Sequence, residues 1–227
     1  MIPPGELVQF VAELLAMMLV VLGIVRLWRW WCSDERKVKK LLGAARQVRI
    51  ADAEEGALVK VVGKVGSAGK LLAGPATGEP CLIWKLAVES VGMREQRRQV
   101  TTRSDATDFW IEDESGRALV KPLTPELRLA VHELRFRGVG EMPAAVAEIL
   151  AQHESAAQGR DLFRVSSNDL VCQEGLVTEG ETIAVLGRAH WVDDAEGAGY
   201  RERGRRLVLE DHPPLVLRIS DDPELLD

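Results

Sequence analysis

The pattern of apolar and polar positions changes character twice along the 227 residues. Residues 7 to 25 read LVQFVAELLAMMLVVLGIV, with only Gln9 and Glu13 strongly polar. A helix over residues 7 to 28 would span roughly 30 Å, about one hydrocarbon core. Leu27-Trp28-Arg29-Trp30-Trp31 closes the run. Indole rings favour the headgroup interface and a guanidinium can snorkel there, so Trp28, Arg29, Trp30 and Trp31 are predicted to anchor one membrane face. Residues 35 to 48, ERKVKKLLGAARQV, then place Val38, Leu41, Leu42, Ala45 and Val48 on one face of a helix, with Arg36, Lys37, Lys39 and Lys40 on the other. That basic face suits anionic headgroups or plain solvation.

From residue 50 the period shortens to that of strands. LVKVVGKV (58–65) and CLIWKLAVESV (81–91) read as strands, as do residues 107–111 and 117–120. Glu112-Asp113-Glu114-Ser115-Gly116 between the last two reads as a hairpin turn. Residues 94–108 are polar and are expected to be a long excursion, whereas LRLAVHELRF (127–136) is expected to continue the sheet. Pro143 opens a helix over 143–154 with Val146, Ile149 and Leu150 in a stripe. Strands are predicted again near 163–173, 182–191, 206–210 and 215–219, with a charged loop at 193–204 and an acidic tail, 221–227, that frays.

A weak internal echo runs through this part. Glu55-Gly56-Ala57 leading into Val61-Val62-Gly63-Lys64 resembles Glu179-Gly180-Glu181 leading into Val185-Leu186-Gly187-Arg188, and Trp110-Ile111-Glu112-Asp113 resembles Val208-Leu209-Glu210-Asp211. Glycines inside strands often mark bends where a small barrel turns a corner. The expected fold is membrane-anchored and mainly β (α+β): one transmembrane helix, then one or two small OB-like β-barrel modules with short helices. The expected organisation is an anchor at 1–33, a basic helix at 34–49, a β domain at 50–220 with candidate halves 50–140 and 163–220, and the tail.

Charge sets orientation and narrows function. No Lys or Arg precedes the apolar run and no small-residue cleavage site follows it, so an uncleaved anchor is favoured over a signal peptide. Basic residues cluster after the run, which places the N-terminus outside and the β domain in the cytoplasm, at the inner membrane. The net charge of −6 argues against a general nucleic-acid binder. Three cysteines, Cys32, Cys81 and Cys172, stand far apart, against a disulfide framework or a multi-cysteine zinc site.

Candidate chemistry is sparse, and no cofactor or catalytic set is expected. Glu13 within the apolar run reads either as a helix-helix contact or as a shallow, tolerated carboxyl. Glu112 and Asp113 read chiefly as turn chemistry and secondarily as a contact. His190 beside Trp191 reads as strand-end packing or a cleft residue, and Glu174 as either a loop clamp or a ligand contact. The glycines of GKVGSAGK (63–70) match no phosphate-loop spacing and are expected to form a flexible loop.

The order of motifs is similar to that of a known family. Glu55-Gly56, Val61 to Val65, Gly78-Glu79-Pro80-Cys81-Leu82-Ile83-Trp84, Phe109 to Asp113 with Gly116 to Val120, Glu174, and Glu179-Gly180-Glu181 stand in sequence after a membrane helix. This resembles the GIDE, or "beside a membrane" (BAM), domain over about residues 50–192. That domain is the non-RING part of the membrane ubiquitin ligase MULAN and also occurs in bacterial membrane proteins. The resemblance implies a membrane-tethered sensing or docking domain. A RING needs close pairs of Cys/His zinc ligands, and the 227 residues hold none, so ligase activity is not expected to carry over. The expected partners are membrane lipid, a protein or a second copy, with a small ligand as a further option and no nucleic acid.

Overall fold

The computed structural model describes residues 17–18, 34–92, 95–156, 169–194, 204–211 and 216–226. The run predicted to cross a membrane, with Glu13, Trp28, Arg29, Trp30 and Trp31, lies outside them except for Met17 and Met18, which are helical and exposed. Among the described residues no helix is long and apolar enough to cross a membrane.

Helix α1 (Asp34–Ala44) is followed by β1 (Leu58–Ser67), β2 (Leu72–Ala73), β3 (Pro80–Cys81), β4 (Ile83–Val91), β5 (Arg97–Ala106), β6 (Phe109–Asp113), β7 (Gly116–Lys121), β8 (Glu126–Arg128) and β9 (His132–Phe136). Helix α2 (Ala144–Ala156), β10 (Asp169–Val177), β11 (Thr182–Asp194), β12 (Gly204–Glu210) and β13 (Arg218–Ser220) complete the order. The protein is mainly β, with two short helices of defined length among the described residues.

Five strands close into one barrel in the order β1-β6-β7-β12-β11, and β11 returns to pair with β1. All neighbours are antiparallel except β7 and β12. Closure removes the edges that an open sheet would leave unpaired. Alternate residues point inward: Phe109 and Ile111 of β6, Ala118 and Val120 of β7, Leu207 and Leu209 of β12, Ile183 and Val185 of β11, and Val61 and Val65 of β1 share one buried core. The candidate halves 50–140 and 163–220 thus contribute adjoining arcs, β1-β6-β7 and β12-β11, to one barrel. The remaining long strands form an open sheet, β5-β4-β10-β9, whose face bearing Leu86, Val88, Leu170 and Cys172 is covered by Val146 and Leu150 of α2.

The sequence echo is a two-fold relation around the β1–β11 pair. Gly56 donates its N–H to Ala189 and the Ala189 N–H returns to Ala57; Gly180 donates to Val65 and the Val65 N–H returns to Glu181. Glu55 accepts the Trp191 N–H at 2.7 Å, and Glu179 accepts the Ser67 N–H at 2.7 Å. Each Glu-Gly turn therefore clamps the far end of the other strand. Gly56 and Gly180 sit at φ 74° and 86°, a region that side chains disfavour.

Four sequence expectations change. Residues 94–108 hold β5, and 63–70 continue β1 through Ser67 instead of forming a loose loop. The tail ends in a short 3-10 turn at Pro223–Leu225, its start capped by the Asp222 carboxylate, because Leu225 is buried beside Val38 and Leu42 of α1. The helical stripe is shorter than predicted. Val38 and Leu42 pack against Ala184 and Leu186 on the outside of β11, and burial of such side chains stabilises by about 2 kcal/mol each. Leu41 stays exposed, and residues 45–48 leave the helix so that Val48 donates to the Lys60 carbonyl of β1.

Candidate functional site

The sequence-predicted residues do not converge. Glu112 is exposed on β6. Asp113 is held in the β6–β7 hairpin: its Oδ1 accepts from the Ser115 N–H and hydroxyl and from the Gly116 N–H, and its Oδ2 accepts the Ile50 N–H at 2.8 Å. This is the turn role, extended to tie residue 50 onto the barrel. His190 stands on β11 with Nδ1 3.0 Å from Glu55 and Nε2 3.6 Å from Glu210. It belongs to the two-fold clamp, beside Trp191, whose indole N–H donates to the Ala53 carbonyl.

Partial burial pushes Asp113 up, but the Ser115 hydroxyl and three backbone N–H groups outweigh it and hold the carboxyl below its ordinary 3.8. A folded-state pKa below the unfolded value gives stabilisation that is present above about pH 4 and lost as pH falls through the folded value. Wild type is therefore expected to lose stability more steeply than Asp113→Asn between about pH 5 and pH 2, as read by urea denaturation at each pH. Equal slopes would remove Asp113 from the acid response.

Glu174 is the residue around which a site is built. It lies on β10, only 1% exposed, opposite Leu86 of β4 and His132 of β9. Its carboxylate accepts the Ala76 N–H at 2.7 Å and the Thr77 N–H at 3.1 Å, gripping the loop between β2 and β3 from behind. The loop is pinched shut by Gly74 N–H to Glu79 O and Gly78 N–H to Gly74 O, each 2.8 Å. A Cβ on Gly74 would lie 2.8 Å from the Thr77 hydroxyl and 3.2 Å from the Glu174 carboxylate, so a larger residue there would push against the clamp's own side chains. The adjacent Gly175 serves the other face of β10, where a Cβ would meet Leu129 at 2.8 Å and the Ala130 carbonyl at 2.9 Å. Of the two sequence readings of Glu174, the loop clamp is the one its hydrogen bonds describe.

Burial raises the thiols of Cys81 and Cys172 to about 11, and the nearby Glu174 charge adds to this. Only about one thiol in a thousand is then thiolate at pH 8. Both cysteines are expected to resist iodoacetamide in the native protein at pH 8 and to label fully in denaturant, as read by mass spectrometry. Rapid native labelling of either would contradict the packing described.

The clamped loop forms a wall of two cavities. One, of about 610 Å³, lies between the loop and α2 and is lined by Pro75, Ala76, Trp84, Pro143 and Ile149, with Glu148 and Gln152 as polar groups. The other, of about 550 Å³, opens between the barrel and the open sheet and is lined by Thr77, Glu79, His132, Leu176, Glu181 and Asp221. Both volumes fall in the range of small-molecule sites. Burial raises the Asp221 carboxyl above its ordinary value, with Glu181 and Asp222 acting in the same direction and the Ala130 N–H opposing. Sequence reasoning missed both cavities. Their walls come from segments as far apart as 77 and 221, and no local pattern brings those together.

A second feature lies on the outer barrel face. The Arg117 guanidinium sits over the Trp110 ring, 4.6 Å from its centroid, and that of Arg206 lies 5.5 Å from it. Leu119 and Val208 on the same outward face are only 8% and 3% exposed. Strand alternation puts Phe109 and Ile111 inside and Trp110 outside.

Among the described residues, no group of three or more His, Cys, Asp or Glu side chains is placed to hold a metal ion. No family model and no curated protein matches the chain.

Proposed function

We propose that this chain is a non-enzymatic, single-pass membrane protein of the inner membrane, with its N-terminus outside, whose cytoplasmic GIDE/BAM-like β domain docks a partner protein or ligand beside the membrane. The observation that carries the reading is the loop at 74–79, fixed by a buried carboxylate at its back and presented to a groove beside Trp84 and α2. Buried hydrogen bonds that hold a surface loop in one shape preorganise it for binding. The apolar run at 7–25 and its Trp/Arg border support the tether, and the motif order supports the family resemblance.

The test is a photo-crosslinking amino acid at Ala145 in the full-length protein, in native membranes, with Glu224 as a remote control position. A reproducible adduct from Ala145, absent from the control and lost with Ile149→Lys, is expected. Equal adducts from both positions would sink the docking reading. Protease protection of the same membranes tests orientation: the β domain should be cleaved only after the vesicles are opened to its side.

A second reading rests on Trp110. The strand order, with β7 and β12 parallel, fits an OB-like barrel. The outer faces of such barrels bind oligonucleotides or oligosaccharides, and an aromatic flanked by guanidinium groups is a stacking platform. If that reading holds, single-stranded oligonucleotides or glycans quench tryptophan emission and Trp110→Ala removes the effect. Under the docking reading neither ligand changes emission.

A further inference from the structure

The open sheet ends on two edges of unequal length. β9 covers five residues, and a short edge strand offers little to a foreign chain. β5 covers ten, from Arg97 to Ala106, contains no proline and pairs only with β4 among the described residues. Its amides alternate in direction. The Thr107 N–H points inward to the Leu82 carbonyl, while the Ala106 N–H points outward and is caught by the Asp105 side chain at 2.9 Å. By the same alternation the N–H groups of Ser104 and Thr102 point outward, where a further strand would lie.

The charge of this edge is opposite to that of the protein. β5 carries Arg97, Arg98 and Arg103 against Asp105 alone, in a chain of net charge −6. Arg97 is committed to Glu89 of the adjacent β4 at 3.5 Å and, across the sheet face, to Glu133 of β9 at 2.8 Å. Arg103 has no ion-pair partner among the described residues. Thr101, Thr102 and Val100 supply the β-branched character of a strand ready to pair.

We propose that β5 is a docking edge for an extended, acidic segment of a partner protein, which adds to the open sheet as a fifth strand. Main-chain hydrogen bonds give such pairing its affinity and alternate side chains its selectivity. Register puts Arg98 opposite Ser90 and Arg103 opposite Leu86, on one face of the sheet, so the incoming strand presents its carboxylates on that face. A second copy pairing antiparallel through its own β5, centred on Arg103, would set arginine against arginine, which is destabilising. The proposal rests on the docking reading and names the chemistry of its partner.

The experiment uses the full-length protein in detergent and three blocked peptides as long as β5: alternating Glu and Thr, alternating Lys and Thr, and the Glu/Thr peptide with alternate amides N-methylated. Affinity is read by fluorescence anisotropy, and protection of residues 97–106 by amide hydrogen exchange. The Glu/Thr peptide is expected to bind and to slow exchange at β5, with the other two at least about tenfold weaker. Ser104→Pro, which removes an outward N–H at an edge that tolerates proline, is expected to weaken binding by at least about tenfold. Arg103→Glu, a surface change that keeps the backbone, is expected to turn the preference toward the Lys/Thr peptide; it decides the matter if Ser104→Pro fails to fold. The N-methylated peptide binding as tightly as its parent, or no binding by the Glu/Thr peptide, overturns the edge. Continued adduct formation at Ala145 in Ser104→Pro would then leave the docking reading standing without it.

Discussion

Gly63→Ala is expected to destabilise the barrel by about 3 kcal/mol, enough to unfold much of a marginal domain. A Cβ at Gly63 would lie 2.8 Å from the Glu112 carbonyl carbon, with the carbonyl oxygen closer still, and 3.1 Å from Ile111 Cγ1. The obstacle is backbone of the neighbouring β6, which is itself held by β7 and by the hydrogen bonds of Asp113. It cannot rotate aside. The two-fold equivalent supplies the control. At Gly187 a Cβ would overlap Leu217 Cδ2, the far end of a flexible side chain, and stands 3.5 Å from Leu209 Cβ. Gly187→Ala is therefore expected to lower stability by only about 1 kcal/mol. Urea denaturation followed by tryptophan emission measures both. Equal losses at the two sites would mean that β6 moves as easily as a leucine rotamer, and the account of barrel closure would fail.

Glu174→Ala is expected to be the most damaging change outside the barrel, lowering stability by about 3 kcal/mol. It removes the acceptor of two buried N–H groups and opens space between β10 and the loop at 74–79. Glu174→Gln fills the same volume but turns an N–H₂ group toward one of the two amides, so an intermediate loss of about 1 to 2 kcal/mol is expected. The distinctive readout is local. Cys81 and Cys172, unreactive in the native protein, should be alkylated at pH 8 in Glu174→Ala at urea concentrations where the barrel is still folded. Unchanged protection, with Glu174→Ala as stable as wild type, would show that the loop holds its shape without the carboxylate. Binding at the groove is predicted to fall with the loop, because the same segment lines both cavities.

Where sequence reasoning succeeded, the governing chemistry was local. The Glu112 to Gly116 turn was legible because an aspartate followed by serine and glycine satisfies its own amides, as Asp113 does. The strands at 58–65 and 182–191 were legible because one face of each is apolar at every second position. β5 was not. As an edge strand with a solvated outer side it carries Arg, Gln, Thr and Ser where an inner strand would carry valine, so its composition reads as loop. The tail was misjudged for the converse reason. One leucine, Leu225, docking beneath α1 orders a segment that its acidic composition suggested would fray.

The sequence by itself determined that this is a mainly β domain following an apolar run with a Trp/Arg border, and it carried the echo between 55–64 and 179–188. Hydrophobic period and turn chemistry are properties of neighbours along the chain, and they survive without knowledge of the fold. Only the tertiary structure decided what the echo means, which carboxylates are structural and where a ligand has room. Glu174 reaches amides 98 and 97 positions away, and Glu55 one 136 away. Such partners are chosen by barrel closure and strand register, which depend on all the pairings at once. No short segment contains that information.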